Sequence, residues 1–368
     1  MDHSTARAFG SPLRYIQGPG EFERLPDYTG TYGKACILID HFLYPDLNAR
    51  LERAYREYGH DFIAVCFEGE CCEKLIDDAV RIAAKHQAAV IVGVGGGKTL
   101  DAAKLCADKM ALPVIIVTSS ASTDAPVSEI AVLYTEDGEY VGSRKMKRNA
   151  ELVLVDSEII IRAPRRLFVA GMGDALATWF EAKACQASEA PNYIGDGYQR
   201  CKAGMAIADI CHKILFEDGR KALEALEKGK ITEAFENVVE ANTLLSGLGF
   251  LNTGLAAAHG IHSGLTVLPE THKYLHGEKV AFGIVCQMLL EKTHPDDLAQ
   301  TMKFMTEIGL PVTLKQLGVE ETREKVTAIA EKTVEGPLVH HETCEVNVEN
   351  LVEIIFLANQ LGSQYIQK

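Results

Sequence analysis

The chain has 368 residues, 47% hydrophobic and 24% charged, an ordinary globular composition with enough length for two cores. A formal net charge of −14 argues against nucleic acid as a partner and repels multiply anionic substrates, which favours a small neutral molecule. Ten scattered cysteines with no CxxC exclude a zinc ribbon or a disulfide framework; no signal-like or membrane-length apolar run occurs, so a cytoplasmic protein without a membrane partner is expected.

The first half alternates short β-branched runs with amphipathic stretches. Residues 35–40 (ACILID), 61–66, 88–94 and 114–118 read as buried strands, with helical patterns at 47–58 and 73–85 between them. Strands separated by helices of this length make βαβ units and a parallel sheet. Residues 129–134 and 152–156 read as further strands, the first in an antiparallel excursion through Asp137-Gly138. Beyond Pro164 only helical periodicity is evident, at 167–188, 197–216, 231–248, 255–263, 277–292, 297–308 and 347–363. The expected organisation is an α/β nucleotide-binding domain over 1–164 and an all-α domain over 165–368, with the active site in the cleft between them.

Residues 93–99 (GVGGGKT) lie between a buried strand and a helix, where glycines let backbone N–H groups approach a phosphate at a helix N-terminus. A Walker A loop would need glycine at Val92, and a GxGxxG turn would need it at Lys98 or Leu100. The turn is therefore a phosphate cradle of a third kind. Asp40 closes an earlier strand, where a carboxylate can bond a ribose diol and disfavour a 2′-phosphate. In the helical half, His259 and His262 are three apart on one helix face, and His272 and His276 follow closely. Asp174 opens the first long helix of that half. Spacing does not choose among the four histidines, but histidines plus a carboxylate suit a catalytic Zn²⁺ or Fe²⁺ site.

Five segments in this order, 95–101 (GGGKTLD), 121–126 (ASTDAP), 171–182 (GMGDALATWFEA), 254–259 (GLAAAH) and 276–283 (HGEKVAFG), resemble the iron- and zinc-dependent alcohol dehydrogenase superfamily, and within it the glycerol dehydrogenases. The resemblance implies a dehydroquinate synthase-like architecture, NAD, Zn²⁺ or Fe²⁺, and a homo-oligomer, commonly an octamer. It implies metal ligation by Asp174, His259 and His276. Gly95, Gly96, Gly97, Lys98, Thr99 and Asp101 would line the pyrophosphate site, with Thr118, Ser119 and Ser122 nearby. Ser128, Ile130 and Tyr134 would flank the nicotinamide end. Asp124 would contact a substrate hydroxyl, Phe250 the substrate, and His262 would relay the proton.

The implied reaction is hydride transfer between NAD and a small polyol, glycerol giving dihydroxyacetone. The alternatives are another short diol such as 1,2-propanediol, or a hydroxyketone. A carbocyclic synthase of the same fold would need lysines and arginines for a phosphorylated substrate, and the segments around Asp174 and His259 are almost uncharged. The chain departs from the glycerol dehydrogenase pattern at 251–253, which read Leu-Asn-Thr where Glu-Ser-Gly is usual, and at Val127 and Glu129.

Overall fold

A computed structural model describes residues 5–195 and 197–366. The chain forms two compact units, one of residues 11–121 and 125–163, the other of 1–10, 122–124 and 164–368.

In chain order, the strand pieces Arg7–Ala8 (β1) and Tyr15–Gly18 (β2) precede helix Leu25–Gly30 (α1). Next come Ala35–Asp40 (β3), Tyr44–Tyr58 (α2), Phe62–Phe67 (β4), Glu73–Lys85 (α3), Val90–Gly95 (β5), Gly97–Met110 (α4) and Val114–Thr118 (β6). A hairpin of Ile130–Tyr134 (β7) and Tyr140–Lys145 (β8) leads to Leu152–Asp156 (β9) and the short helix Ser157–Ile160 (α5).

Six of these strands pair in parallel in the order β2-β9-β6-β5-β3-β4. Strands β5, β6 and β9 are buried along their whole length, as expected of strands covered on both faces, which is why they read as unbroken apolar runs. From β3 the chain steps outward to β4, then returns to β5 on the other flank of β3. That reversal is a topological switch point, and it opens a crevice at the carboxyl ends of β3 and β5, where Asp40 and Gly95 stand. The hairpin β7-β8 is the expected antiparallel excursion. The edge strand β2 is not among the sequence expectations: four residues between Arg14 and Pro19, the last of them a glycine, give too short a pattern.

The second unit is helical. It holds Arg165–Ala187 (α6), the two-residue strand Gln199–Arg200 (β10) paired with β1, Lys202–Glu227 (α7) and Glu233–Glu240 (α8). A π-helical turn, Ala241–Leu245, joins α8 to Ser246–Thr253 (α9). Then follow Ala257–Leu265 (α10), His276–Leu290 (α11), Pro295–Ile308 (α12), Arg323–Glu335 (α13) and Val348–Ile366 (α14). Helix α13 is a further addition to the expected set. Its β-branched residues dilute helix propensity, and it is held instead by burial of Val326, Ile329, Ala330 and Thr333. Among the described residues no single helix is long and apolar enough to cross a membrane.

Helices α6, α10 and α11 touch backbone to backbone. A Cβ on Gly277 of α11 would lie 1.8 Å from the Ala170 carbonyl oxygen of α6, and one on Gly173 would lie 2.5 Å from the Gly277 oxygen. A Cβ on Gly283 would meet the Ala258 oxygen of α10 at 2.3 Å. Small residues at these crossings bring the helix axes close enough for side chains one position away to converge. Gly277→Ala is expected to destabilise the fold through an overpacking cost of about 1–3 kcal/mol or more, seen as a lowered thermal unfolding midpoint. Gly336→Ala is the neutral control: φ is −82° and the nearest neighbour of a new Cβ lies at 3.4 Å.

Candidate functional site

The helix crossings set the geometry of the helical unit's polar centre. Asp174 follows Gly173 well inside α6, not at its opening as the sequence suggests, because the helix already starts at Arg165 after Pro164; His276 precedes Gly277 as the first residue of α11, and His259 follows Ala258 on α10. Asp174 Oδ1 lies 3.3 Å from His259 Nε2 and 3.1 Å from His276 Nε2, and the two ring nitrogens are 3.2 Å apart. These three ligand-type atoms lie within 4.8 Å of one another. Asp174 is wholly buried, yet its Oδ1 accepts no well-directed hydrogen bond. Burial opposes ionisation of Asp174, but the His276 and His259 rings outweigh it and hold the carboxyl well below the usual carboxylate range.

Behind His259 stands Glu181, also wholly buried on α6. Its Oε2 lies 2.7 Å from His259 Nδ1, and its Oε1 accepts from the His259 backbone N–H at 2.9 Å. Glu181 accepts the Nδ1–H, which turns Nε2 toward Asp174 and His276; burial opposes charge on the ring, but the Glu181 and Asp174 carboxylates outweigh it and raise the His259 imidazole well above its ordinary value. His276 is steadied differently. Glu278 at the third position of α11 accepts from the Leu275 N–H (2.8 Å), and Arg166 of α6 forks onto both Glu278 oxygens at 2.6 Å.

Asp124 belongs to the same unit. Its Oδ2 accepts from Ser246 Oγ at 2.8 Å, Ser246 Oγ lies 3.1 Å from Thr178 Oγ1, and the Asp124 N–H points to Asp174 Oδ2 at 3.3 Å. Burial, with the Asp174 carboxylate second, pushes the Asp124 carboxyl up to about 8. The His262 ring centroid is 4.2 Å from that of His276. Burial, followed by the His276 ring and Lys279, holds the His262 imidazole well below its ordinary value, so it is neutral. Phe250 is buried on α9 with Tyr193 edge-on at 5.9 Å.

His272 lies apart from this group, with Nε2 3.0 Å from the Thr266 carbonyl oxygen. At 251–253, where the chain departs from the glycerol dehydrogenase pattern, Leu251 is buried and Asn252 binds both the N–H and the C=O of Gly10, at 2.7 and 2.9 Å. That segment anchors the N-terminal strand piece.

The sheet unit holds the other set. A Cβ on Gly95 would fall 2.8 Å from Asp40 Cβ, so the glycine turn runs against the acid, and Thr99 Oγ1 reaches Asp40 Oδ2 at 3.4 Å. Positions 96 and 97 face open space, with the N-terminus of α4 behind them. Lys98 is paired with Glu70. Ser119 N–H donates to the Gly95 carbonyl at 3.0 Å, and Thr118 Oγ1 to the Ser120 carbonyl at 2.8 Å. Asp101 is buried: Oδ1 accepts from Lys104 Nζ at 3.1 Å and Oδ2 from the Val132 N–H at 2.9 Å. Lys104 also donates to the Ala125 and Ile130 carbonyls, at 2.8 and 2.9 Å. Asp101 thus pins the loop that carries Ser128, whose Oγ donates to Ala125 O at 3.2 Å, and strand β7 with Ile130 and Tyr134. Ser122 lies in the segment that clusters with the helical unit.

Sequence reasoning assigned no role to Glu181, Ser246, Thr178 or the Arg166–Glu278 pair. A signal existed for Glu181 alone: it is the one acid after Asp174 in an otherwise apolar run of α6, seven residues on and so on the same face.

Residues 12–157 match the family model described as iron-containing alcohol dehydrogenase. The glycerol dehydrogenase of Escherichia coli O6:H1 is 39% identical over 366 residues, covering 98% of this chain and 99% of that one. The glycolaldehyde reductase of Halobacterium salinarum is 35% identical over 357 residues, covering 96% and 97%. A crystal structure of a probable glycerol dehydrogenase from Sinorhizobium meliloti 1021 superposes with a TM-score of 0.91 at 42% identity, covering 98% of this chain and all of that one. With likeness extending over nearly its whole length, the chain belongs to the iron-containing alcohol dehydrogenase family and is an oxidoreductase.

Proposed function

We propose that the protein transfers hydride between a small polyol and NAD, with glycerol oxidised to dihydroxyacetone. The observation that carries this reading is the convergence of Asp174, His259 and His276 with Glu181 behind them. The donor set fits a divalent cation: one carboxylate oxygen and two ring nitrogens within 4.8 Å, a buried Asp174 oxygen without a hydrogen bond, and a His259 ring held at Nδ1 by Glu181 so that Nε2, whose proton a cation would replace, faces inward. Zn²⁺ is the ion we propose, and the same donors would serve Fe²⁺. When bound, such an ion supplies Lewis acidity that makes an alcohol hydroxyl easier to ionise.

The chain's own residues do the rest. Asp124, oriented by Ser246, binds a second hydroxyl of the substrate, which favours a vicinal diol over a simple alcohol. Phe250 offers an apolar wall to the carbon skeleton. The neutral His262 ring beside His276 relays the substrate's hydroxyl proton outward rather than keeping it, since its surroundings disfavour the charged ring. Residues 1–164 bind the dinucleotide, with its pyrophosphate at Gly95, Gly96, Gly97, Lys98 and Thr99 over the N-terminus of α4, and its adenosine ribose at Asp40. Thr118, Ser119 and Ser122 lie along the cofactor, and Ser128, Ile130 and Tyr134 at its nicotinamide end. Asp101 acts through the loop it pins. Residues 165–368 carry the metal and substrate. A cytoplasmic homo-octamer belongs to the same reading, and light scattering tests the assembly. The Halobacterium relative supports a second reading, in which reduction of a hydroxyaldehyde or hydroxyketone is the working direction.

NAD⁺ reduction by glycerol, 1,2-propanediol and ethanol, measured on metal-stripped, Zn²⁺-loaded and Fe²⁺-loaded protein, tests the assignment. Diol-dependent turnover restored by one metal and reduced to background in Asp174→Asn is expected. Binding of metal and NAD without turnover on any diol or hydroxyketone would refute it. Asp40→Ala is expected to shift the NAD to NADP preference in kcat/KM toward NADP by about tenfold or more, because a carboxylate repels the 2′-phosphate. An unchanged ratio would remove Asp40 from the ribose site.

A further inference from the structure

Helix α10 begins without a cap of its own. Ala256 stands at its N-cap with φ −140° and ψ −138°, and the alanines there have no side-chain acceptor to offer. The N–H groups that open the helix are nevertheless all taken by buried side chains from elsewhere. Glu181 Oε1 accepts from Ala256 and His259 at 2.9 Å, Gln287 Oε1 from Ala258 at 3.0 Å, and Glu342 Oε1 from Ala257 at 3.1 Å. Glu181 and Gln287 lie on the neighbouring helices α6 and α11. Glu342 comes from a separate segment, 85 residues along the chain from Ala257.

That segment is the tight turn Leu338–His341 and the residue after it. It touches α10 at three successive levels. His341 Nδ1 donates to the Leu255 carbonyl at 2.6 Å, Glu342 receives the Ala257 N–H, and the backbone of Val339 lies over Gly260, where a Cβ would come within 3.3 Å of Val339 N. Val339 is itself wholly buried. His259 sits between the second and third of these levels, at the position of the helix where an uncapped turn would fray.

We infer that residues 338–342 form a positioning clasp for His259, with Glu342 and His341 fixing the start of α10 so that the imidazole meets Asp174 and His276. The inference rests on the metal reading of that centre. Burial and the adjoining Glu291 carboxyl push the Glu342 carboxyl up to about 8, so it carries a proton at neutral pH and is both donor and acceptor. A glutamine reproduces that pairing, with its oxygen on Ala257 and its amide N–H replacing the acid proton. An alanine removes it and orphans the Ala257 N–H.

Zn²⁺ titration of the metal-stripped full-length chain by calorimetry, with thermal unfolding of the same metal-free samples, tests the clasp. Supporting residues of this kind change metal affinity by about 10–100-fold. Glu342→Ala is expected to raise the Zn²⁺ Kd at least ~10-fold, while Glu342→Gln stays within about threefold of wild type. Unchanged affinity in Glu342→Ala overturns the clasp, and so does an equal loss in Glu342→Gln. If Glu342→Ala does not fold, His341→Ala decides by the same criterion. The metal reading fails separately, if wild type binds no Zn²⁺ or Asp174→Asn binds it equally well.

Discussion

Glu181, wholly buried, accepts three hydrogen bonds: from the Ala256 N–H, the His259 N–H and His259 Nδ1. Two of these replace helix-capping contacts that the sequence of α10 does not provide, and the third orients an imidazole. A single side chain on α6 therefore shares in capping the start of α10 and also sets which nitrogen of His259 faces Asp174. Asp174 and Glu181 are seven residues apart on one face of that helix, with Thr178 between them reaching Ser246. The polar stripe of α6 is the frame on which the rest of the centre is hung.

The frame works only because the helices touch. Gly173, Gly277 and Gly283 remove the side chains that would hold α6, α10 and α11 a few ångströms further apart. At ordinary interhelix spacings near 8–10 Å the polar groups beside these glycines would diverge. In the sheet unit a different constraint places the polar groups: strand order puts the reversal between β3 and β5, so the acid ending one strand meets the glycine turn ending the other. Both centres are assembled from residues adjacent to glycine, for reasons of backbone approach rather than flexibility.

The parallel strands were legible because burial on both faces produces unbroken β-branched runs, and residues 35–40, 114–118 and 152–156 begin and end where the sequence pattern does. The long helices of the second unit were legible by period, apart from α13, whose β-branched composition hides it. The glycine turn and the cluster of histidines were visible as chemistry. Of their partners only Glu181 left a trace, as the acid seven residues after Asp174 in α6; a lone Ser246 or Glu342 carries no periodic mark. Each acts on a residue at least 75 positions away, and such pairings arise only when the helices have packed. Asp101 shows the converse. Its place beside the phosphate turn suggests a ligand contact, whereas its two oxygens hold Lys104 and the β7 backbone.

The π-turn at Ala241–Leu245 stores information of another sort. A π-turn accommodates one more residue than an α-turn, and it usually survives only where something rewards the irregularity. Ser246 is the first residue beyond it and holds Asp124. Loss of one residue from 241–245 would let 233–253 run as a continuous α-helix, locally more regular, yet with Ser246 and Phe250 swung about 100° around the axis. What is encoded at that point is a residue count rather than a residue identity. A deletion there would harm the enzyme while every side chain named above remained in the chain.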